Sequence, residues 1–372
     1  MLDKLLDLDV IVCAGSGGVG KTTMSSTLGV WAAQQGQKVL VLTIDPAKRL
    51  ANALGLDSTE FNKPGQVQGL NAAGELHASM IDSQAIFDSF IRNCAPSEDV
   101  ANRLYKNSLY RQLSTTLSGS QEFTSLEALL QARESGNYDL IILDTPPSQH
   151  AIDFLRAPER IFALFQKSIT QWFIKGSGDV SFLRKLVNQG TKTALSALEA
   201  VTGSRFIHEL SDFFESMAEL QGQVGQRSIQ VHRLLSSEKT GFVLITGLDR
   251  AKLVEAEKFQ RDLKTAGATL SMVLVNRASP SEYEPLEMKN LSSEAQGIAE
   301  KVNHLKRQEA VYFQTQARFL DDLQAQLSQG THMLCLPEVI DDIVGVEGLE
   351  LLVGVLEQTS KKLGSTQEVG RD

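Results

Sequence analysis

Residues Val12 to Ser26 read VCAGSGGVGKTTMSS, and this stretch decides how the rest of the chain is read. Within it, GSGGVGKT fits the pattern G-x-x-x-x-G-K-[ST], a loop that cradles phosphate with its backbone. The apolar run VIVCA (10–14) leads into the loop, and a helix start follows it, which is the context the motif needs. Gly15, Gly17, Gly18 and Gly20 let the chain curl until its N–H groups face phosphate oxygens. Ser16 and Val19 complete the curl, and the helix N-terminus adds partial positive charge. Lys21 is placed to reach the β- and γ-phosphates. The Thr22 hydroxyl is placed to ligand Mg²⁺, with Thr23 beside it. ATP and Mg²⁺ are therefore the expected cofactors.

Working outward, further short apolar runs recur: KVLVLTID (38–45), ELHASMID (75–82), YDLIILDT (138–145), GFVLITGL (241–248), LSMVLVNR (270–277) and HMLCLP (332–337). Runs of this length suit strands buried on both faces. The helical patterns between them suggest crossovers and a mostly parallel central sheet flanked by helices, an α/β fold. The interval 155–237 breaks the alternation and reads as helices at 160–174, 180–201 and 205–220. Half of the sixteen phenylalanines lie between Phe154 and Phe214, so this interval has apolar surface to bury. A second helical stretch lies between Ser83 and Glu134. The expected organisation is a discontinuous domain (1–154 and 238–365), a helical insertion (155–237) and a flexible tail (366–372).

Two strand ends carry carboxylates suited to phosphate chemistry. YDLIILDTPPSQHA ends its apolar run on Asp144, which would hold the Mg²⁺ shell directly or through water. VLVLTIDPAKRL ends on Asp45, which would orient or deprotonate an attacking water. Asp-Pro is also a common turn opener, so Asp45 alone is a weak signal.

GSGGVGKT, TIDPA and DTPPSQHA occur in an order that resembles the ArsA family of P-loop ATPases. That family includes the arsenite-pump ATPase and the guided-entry ATPase that targets tail-anchored membrane proteins. It belongs with MinD, ParA and the nitrogenase iron protein to the deviant Walker A class. The likeness extends to GFVLITGLDRAKLVEAEKF, to LVNR and to CLPEVIDDIVGVEGLELL, so it covers nearly the whole chain. The combination looks closest to the bacterial branch called anion-transporting ATPase. The resemblance implies Mg-ATP binding and a dimer with nucleotides at its interface. It also implies a nucleotide-driven open–closed switch, with Asp45 in switch I and Asp144–His150 in switch II. By the same resemblance Asn276 reads adenine, Pro337 lies in the loop closing over the base, and the helical insertion binds a client.

Three departures stand out. Ser16 occupies the place of the family's signature lysine, which reaches the partner's phosphates; a hydroxyl supplies no positive charge there. Cys13, Cys94 and Cys335 match neither a zinc clip nor a clustered arsenite site. The family's D-P-A-H-N becomes D-P-A-K-R, so Lys48 or Arg49 would serve as a substitute cation, or both are solvated residues at a helix start. His150 fits a switch role and a packing role alike; His208 and His232 read as structural. The Phe162, Phe165, Trp172, Phe173, Phe213, Phe214 and Met217 face suits a client groove, but aromatics at helical spacing more often form a core.

The formal net charge of −9 argues against nucleic-acid binding. The N-terminus lacks the pattern of a signal peptide, and no apolar run reaches the ~18 residues of a spanning helix. A cytoplasmic protein with at most indirect membrane contact is expected. One reading is a homodimeric ATPase acting on a client. A second is a low-activity subunit paired with a lysine-containing paralogue. A MinD- or ParA-like positioning ATPase is a third, disfavoured by the acidic balance and by a polar tail with no amphipathic anchor.

Overall fold

The computed structural model describes residues 2–44, 54, 61–111, 114, 121–146, 154–164, 204–278, 293–328, 330–339 and 343–369. The readings on Asp45, Lys48, Arg49, His150, Phe165, Trp172, Phe173 and the predicted helix at 180–201 lie outside these residues.

A 3-10 turn, Leu2–Leu5, precedes β1 (Val10–Ala14) and α1 (Lys21–Gln34). Then come β2 (Lys38–Thr43), β3 (Gly65–Gln66), β4 (Glu75–Met80), α2 (Ser83–Cys94), α3 (Glu98–Lys106), α4 (Gln121–Ser135) and β5 (Leu140–Asp144). The later elements are α5 (Ala157–Leu164), α6 (Ser204–Leu235), β6 (Thr240–Gly247), α7 (Arg250–Thr265), β7 (Leu270–Asn276), α8 (Ser293–Gln326), β8 (His332–Cys335) and α9 (Gly345–Val369). Every apolar run read as a strand forms one. The two-residue β3 was not anticipated; it lacks an apolar run and pairs antiparallel at the sheet edge. Helix α9 runs to Val369, into the stretch expected to be a flexible tail.

The sheet order is β3-β4-β2-β5-β1-β6-β7-β8, and all pairings except β3–β4 are parallel. Alternation along β1 explains the layering. Val10, Val12 and Ala14 face one core, whereas Ile11 and Cys13 face the other. On the first face lie Phe87 and Phe90 of α2, Leu126 and Leu129 of α4, and Leu253 of α7. On the second lie Met24, Leu28 and Trp31 of α1, together with Leu349, Leu352 and Leu356 of α9. Each such side chain contributes roughly 1.5–3 kcal/mol by leaving water.

Helix α6 shows what its described apolar residues do. Phe213, Met217, Leu220, Val224, Val231 and Leu235 are buried in the first core, and Phe162 and Phe214 pack against it half-buried. For Phe213 and Met217 the choice between open groove and core thus falls to core, because their i, i+4 spacing puts them together on the helix face that packs against α2 to α5. A salt-bridge clamp fixes the same helix. Arg227 of α6 reaches Glu127 of α4 at 2.8 Å and Glu134 at 3.0 Å. No helix among the described residues is long and apolar enough to cross a membrane.

Candidate functional site

Strand β1 lies between β5 and β6, and the chain departs to opposite sides of it. A crevice opens at such a switch point beyond the carboxyl ends of parallel strands. The loop from Gly15 to Gly20 occupies that place.

Local backbone geometry explains the glycines. Gly15 sits at φ 151°, and a Cβ there would stand 2.0 Å from the Ile245 carbonyl oxygen on β6. Gly18 and Gly20 are left-handed, at φ 77° and 90°. Gly20 is the N-cap of α1 and supplies no side-chain cap, so nothing from that residue competes for the first-turn N–H groups. Gly17 and Gly18 form the exposed tip, Val19 is buried beneath it, and Ser16 is half-buried. Thr22 and Thr23 sit half-buried in the first turn of α1.

Lys21 is only 8% exposed, and its Nζ donates to the Ser16 carbonyl at 3.0 Å, arching over the loop it must serve. The Ser16 backbone thus takes part in the loop whatever its side chain.

Asp144 ends β5 at 2% exposure. Its Oδ2 accepts from Thr22 Oγ1 at 2.6 Å and from Thr43 Oγ1 at 2.9 Å, and its Oδ1 accepts from Ser25 Oγ at 3.4 Å. Parallel pairing sets this up: Thr43 is the register partner of Asp144 on β2, and Cys13 is its partner on β1. Thr43 and Ser25 were not among the residues singled out from sequence. Both carried a faint signal, Thr43 at the end of the strand leading to Asp45 and Ser25 one helical turn beyond Lys21.

The chemistry of this donor set fits Mg²⁺. A hydroxyl and a carboxylate are hard oxygen ligands, one or two of which suffice when phosphate and water complete the octahedron. Among the described residues no group of three or more His, Cys, Asp or Glu side chains is arranged to hold a metal ion by itself. The neighbouring Cys13 thiol is pushed up to about 12, first by burial, so it is neutral.

Asn276 ends β7 half-buried, and its Nδ2 donates to the Val19 carbonyl at 2.9 Å. Its Oδ1 accepts from the backbone N–H of Arg277 at 3.0 Å, and Arg277 adopts a left-handed φ of 54°. A non-glycine residue held there costs on the order of 1 kcal/mol, which marks the strand end as a constrained spot. Sequence resemblance gave Asn276 to adenine; its amide here braces the phosphate loop, with one N–H still available to a base. Pro337 is exposed just beyond β8, and its strand is tied to the same end, with Leu336 donating to Val275 and accepting from Ala278. Asn276 and Pro337 are thus brought to one side of the loop.

A further cation missed by sequence reasoning lies near Ser16. Lys252, in the first turn of α7, lines a small crevice shared with Gly15, Ser16 and Glu255. Its ammonium rests 3.1 Å from Asp249, the N-cap of that helix.

A phosphate loop at the switch point of a doubly wound parallel sheet, facing a buried strand-end aspartate, defines a P-loop nucleoside triphosphatase. Residues 8–357 match the family described as Anion-transporting ATPase, and the chain belongs to that ArsA-type family of ATPases. It is 23% identical over 355 residues to the ATPase get3 of Pyrenophora tritici-repentis, an alignment covering 94% of this chain and 92% of that one. It is 24% identical over 379 residues to the ATPase ASNA1 homolog of Plasmodium berghei, covering 96% and 90% respectively.

Proposed function

We propose that this chain binds Mg-ATP at the Gly15–Thr23 loop and couples its hydrolysis to an open–closed switch of a dimer that acts on a client or partner. The observation carrying this reading is the convergence of Thr22, Thr43 and Ser25 on the buried Asp144 carboxylate beside Lys21. Thr22 and Asp144 would hold Mg²⁺, which when bound neutralises charge developing on the transferred phosphoryl group. Lys21, already directed over the loop, and the loop amides stabilise the same charge. Asp45 orients the attacking water. Asn276 fixes the loop and, with Pro337, borders the base. The helical stretch 155–237 is the insertion that receives a client, joined to the 1–154 and 238–365 nucleotide domain through the Arg227 clamp. A cytoplasmic location accompanies this reading.

Mg-ATP binding followed calorimetrically, ATP turnover, and light scattering with and without nucleotide test it together. The expected results are micromolar binding abolished by Lys21→Ala, slow turnover, and a dimer favoured by ATP. Binding unaffected by Lys21→Ala would refute the site assignment.

Ser16 favours a second reading, in which this chain is the weakly active half of a heterodimer with a lysine-bearing paralogue. Turnover by the isolated chain that rises in Ser16→Lys supports that reading. Full turnover alone that falls only in Lys252→Ala counts against it, since Lys252 would then supply the charge in cis.

A further inference from the structure

A cavity lies at the opposite end of the sheet from the phosphate loop. It encloses about 360 Å³ between the start of β7, the start of β8, the end of α7 and the N-terminal 3-10 turn. That volume lies within the ~300–1,000 Å³ range of small-molecule sites.

Its lining is charged in one sense. Lys4, Lys264 and His332 line it, and no carboxylate among the described residues does, in a chain whose formal net charge is −9. Neither lysine makes an ion pair among the described residues. His332 Nε2 is buried and has no hydrogen-bond partner among them. Burial, and after it the Lys4 charge, hold the His332 imidazole below its ordinary value, so the ring is neutral. Buried polar atoms are almost always paired, and this one, shielded just behind the cavity lining, is left without a partner among the described residues. Hydroxyls of Ser271 and Ser328 add neutral donors to the same wall. Gly241 leaves room for the first of these, since a Cβ there would come within 2.4 Å of Ser271 Oγ.

We propose that this cavity is a second ligand site that binds a small oxyanion, a phosphate- or carboxylate-bearing metabolite, with Lys4 and Lys264 supplying charge, the Ser271 and Ser328 hydroxyls supplying hydrogen bonds, and the His332 ring at the wall sensing occupancy. Lys4 and Lys264 project from two different elements, the N-terminal turn and α7, so an anion between them would tie α7 to the N-terminus. Helix α7 begins at Asp249 and Lys252 beside the phosphate loop, which gives the cavity a rigid connection to the nucleotide end.

The test titrates inorganic phosphate and citrate separately into the full-length chain with Mg-ADP present, following the His332 imidazole by NMR. His332→Gln identifies its resonance. We expect a saturable shift with one probe, weakened about tenfold or more in Lys4→Glu/Lys264→Glu, as loss of charged hydrogen bonds implies. A response to phosphate identifies a phosphate ester as the ligand class, and a response to citrate identifies a polycarboxylate. Repeating the titration in Lys21→Ala separates this cavity from the nucleotide site, because the shift persists there. The proposal is overturned if neither probe moves the resonance, if chloride at equal ionic strength moves it equally, or if the shift survives charge reversal. Lys4→Ala/Lys264→Ala gives the same decision should the charge-reversed protein fail to fold.

Discussion

The Thr22 hydroxyl lies 2.6 Å from the Asp144 carboxylate, although the two residues are 122 positions apart. One comes from the first turn of α1, the other from the end of β5, and the same carboxylate oxygen also accepts from Thr43. Replacing Asp144 by Asn keeps the shape and removes the charge. ATP turnover is expected to fall by about a hundredfold or more, the scale of losing a preorganised electrostatic group. Turnover measured against Mg²⁺ concentration checks this, and a variant with the wild-type Mg²⁺ response would contradict it.

Gly15 and Gly18 separate steric from conformational need. A Cβ at Gly15 meets the Ile245 carbonyl, which belongs to a central strand and cannot yield. Gly18 has open space, and alanine there costs only the left-handed φ. Gly15→Ala is expected to destabilise by about 2–3 kcal/mol, and Gly18→Ala by about 1 kcal/mol. Denaturant midpoints with unchanged slopes report the order.

Asn276 touches the loop, so its removal should weaken binding of the polyphosphate itself. In Asn276→Ala, tripolyphosphate and ATP are both expected to bind several-fold more weakly. A purely base-reading residue would leave tripolyphosphate binding intact, and competitive titration of the two ligands decides.

Arg227 answers a buried charge. The side chain of Glu127 is fully buried and that of Arg227 is 13% exposed. Arg227→Met strands the carboxylate, at an expected cost of about 3–5 kcal/mol, and the further change Glu127→Gln recovers much of it. Burial raises Glu127 above the ordinary carboxylate value even with Arg227 opposing. A raised folded-state value means stability is present below the unfolded value and lost as pH rises through the folded one. Arg227→Met should therefore lose stability as pH climbs out of the acid range, more steeply than the parent. Chemical denaturation across that range measures it.

The cysteines are expected to be inert. Burial pushes Cys13 and Cys94 up to about 12 and Cys335 up to about 11. Only the thiolate reacts. A thiol reagent at pH 8 should modify the folded protein far more slowly than the unfolded chain, with Cys335, the least buried, reacting first.

Much of this molecule was legible in its sequence because the signals are local. Each long strand announced itself as an apolar run, and GSGGVGKT named its own conformation through its glycines. Asp144 was legible from the apolar run it closes. Thr43 and Ser25 were not, because a threonine at a strand end and a serine in a helix are ordinary residues until a carboxylate is placed against them. Lys252 escaped for the same reason: its neighbourhood with Ser16 is made by β6 lying beside β1, a pairing across more than two hundred residues.

By itself the sequence determined the elements and the loop, since periodicity and φ preference act within a few residues. Tertiary structure alone decided that α6 turns Phe213 and Met217 into the core, that Asn276 braces the loop, and that Lys4, Lys264 and His332 share a cavity. Those outcomes depend on strand order and register. They place residues from distant parts of the chain within hydrogen-bonding reach, and no local pattern encodes that distance.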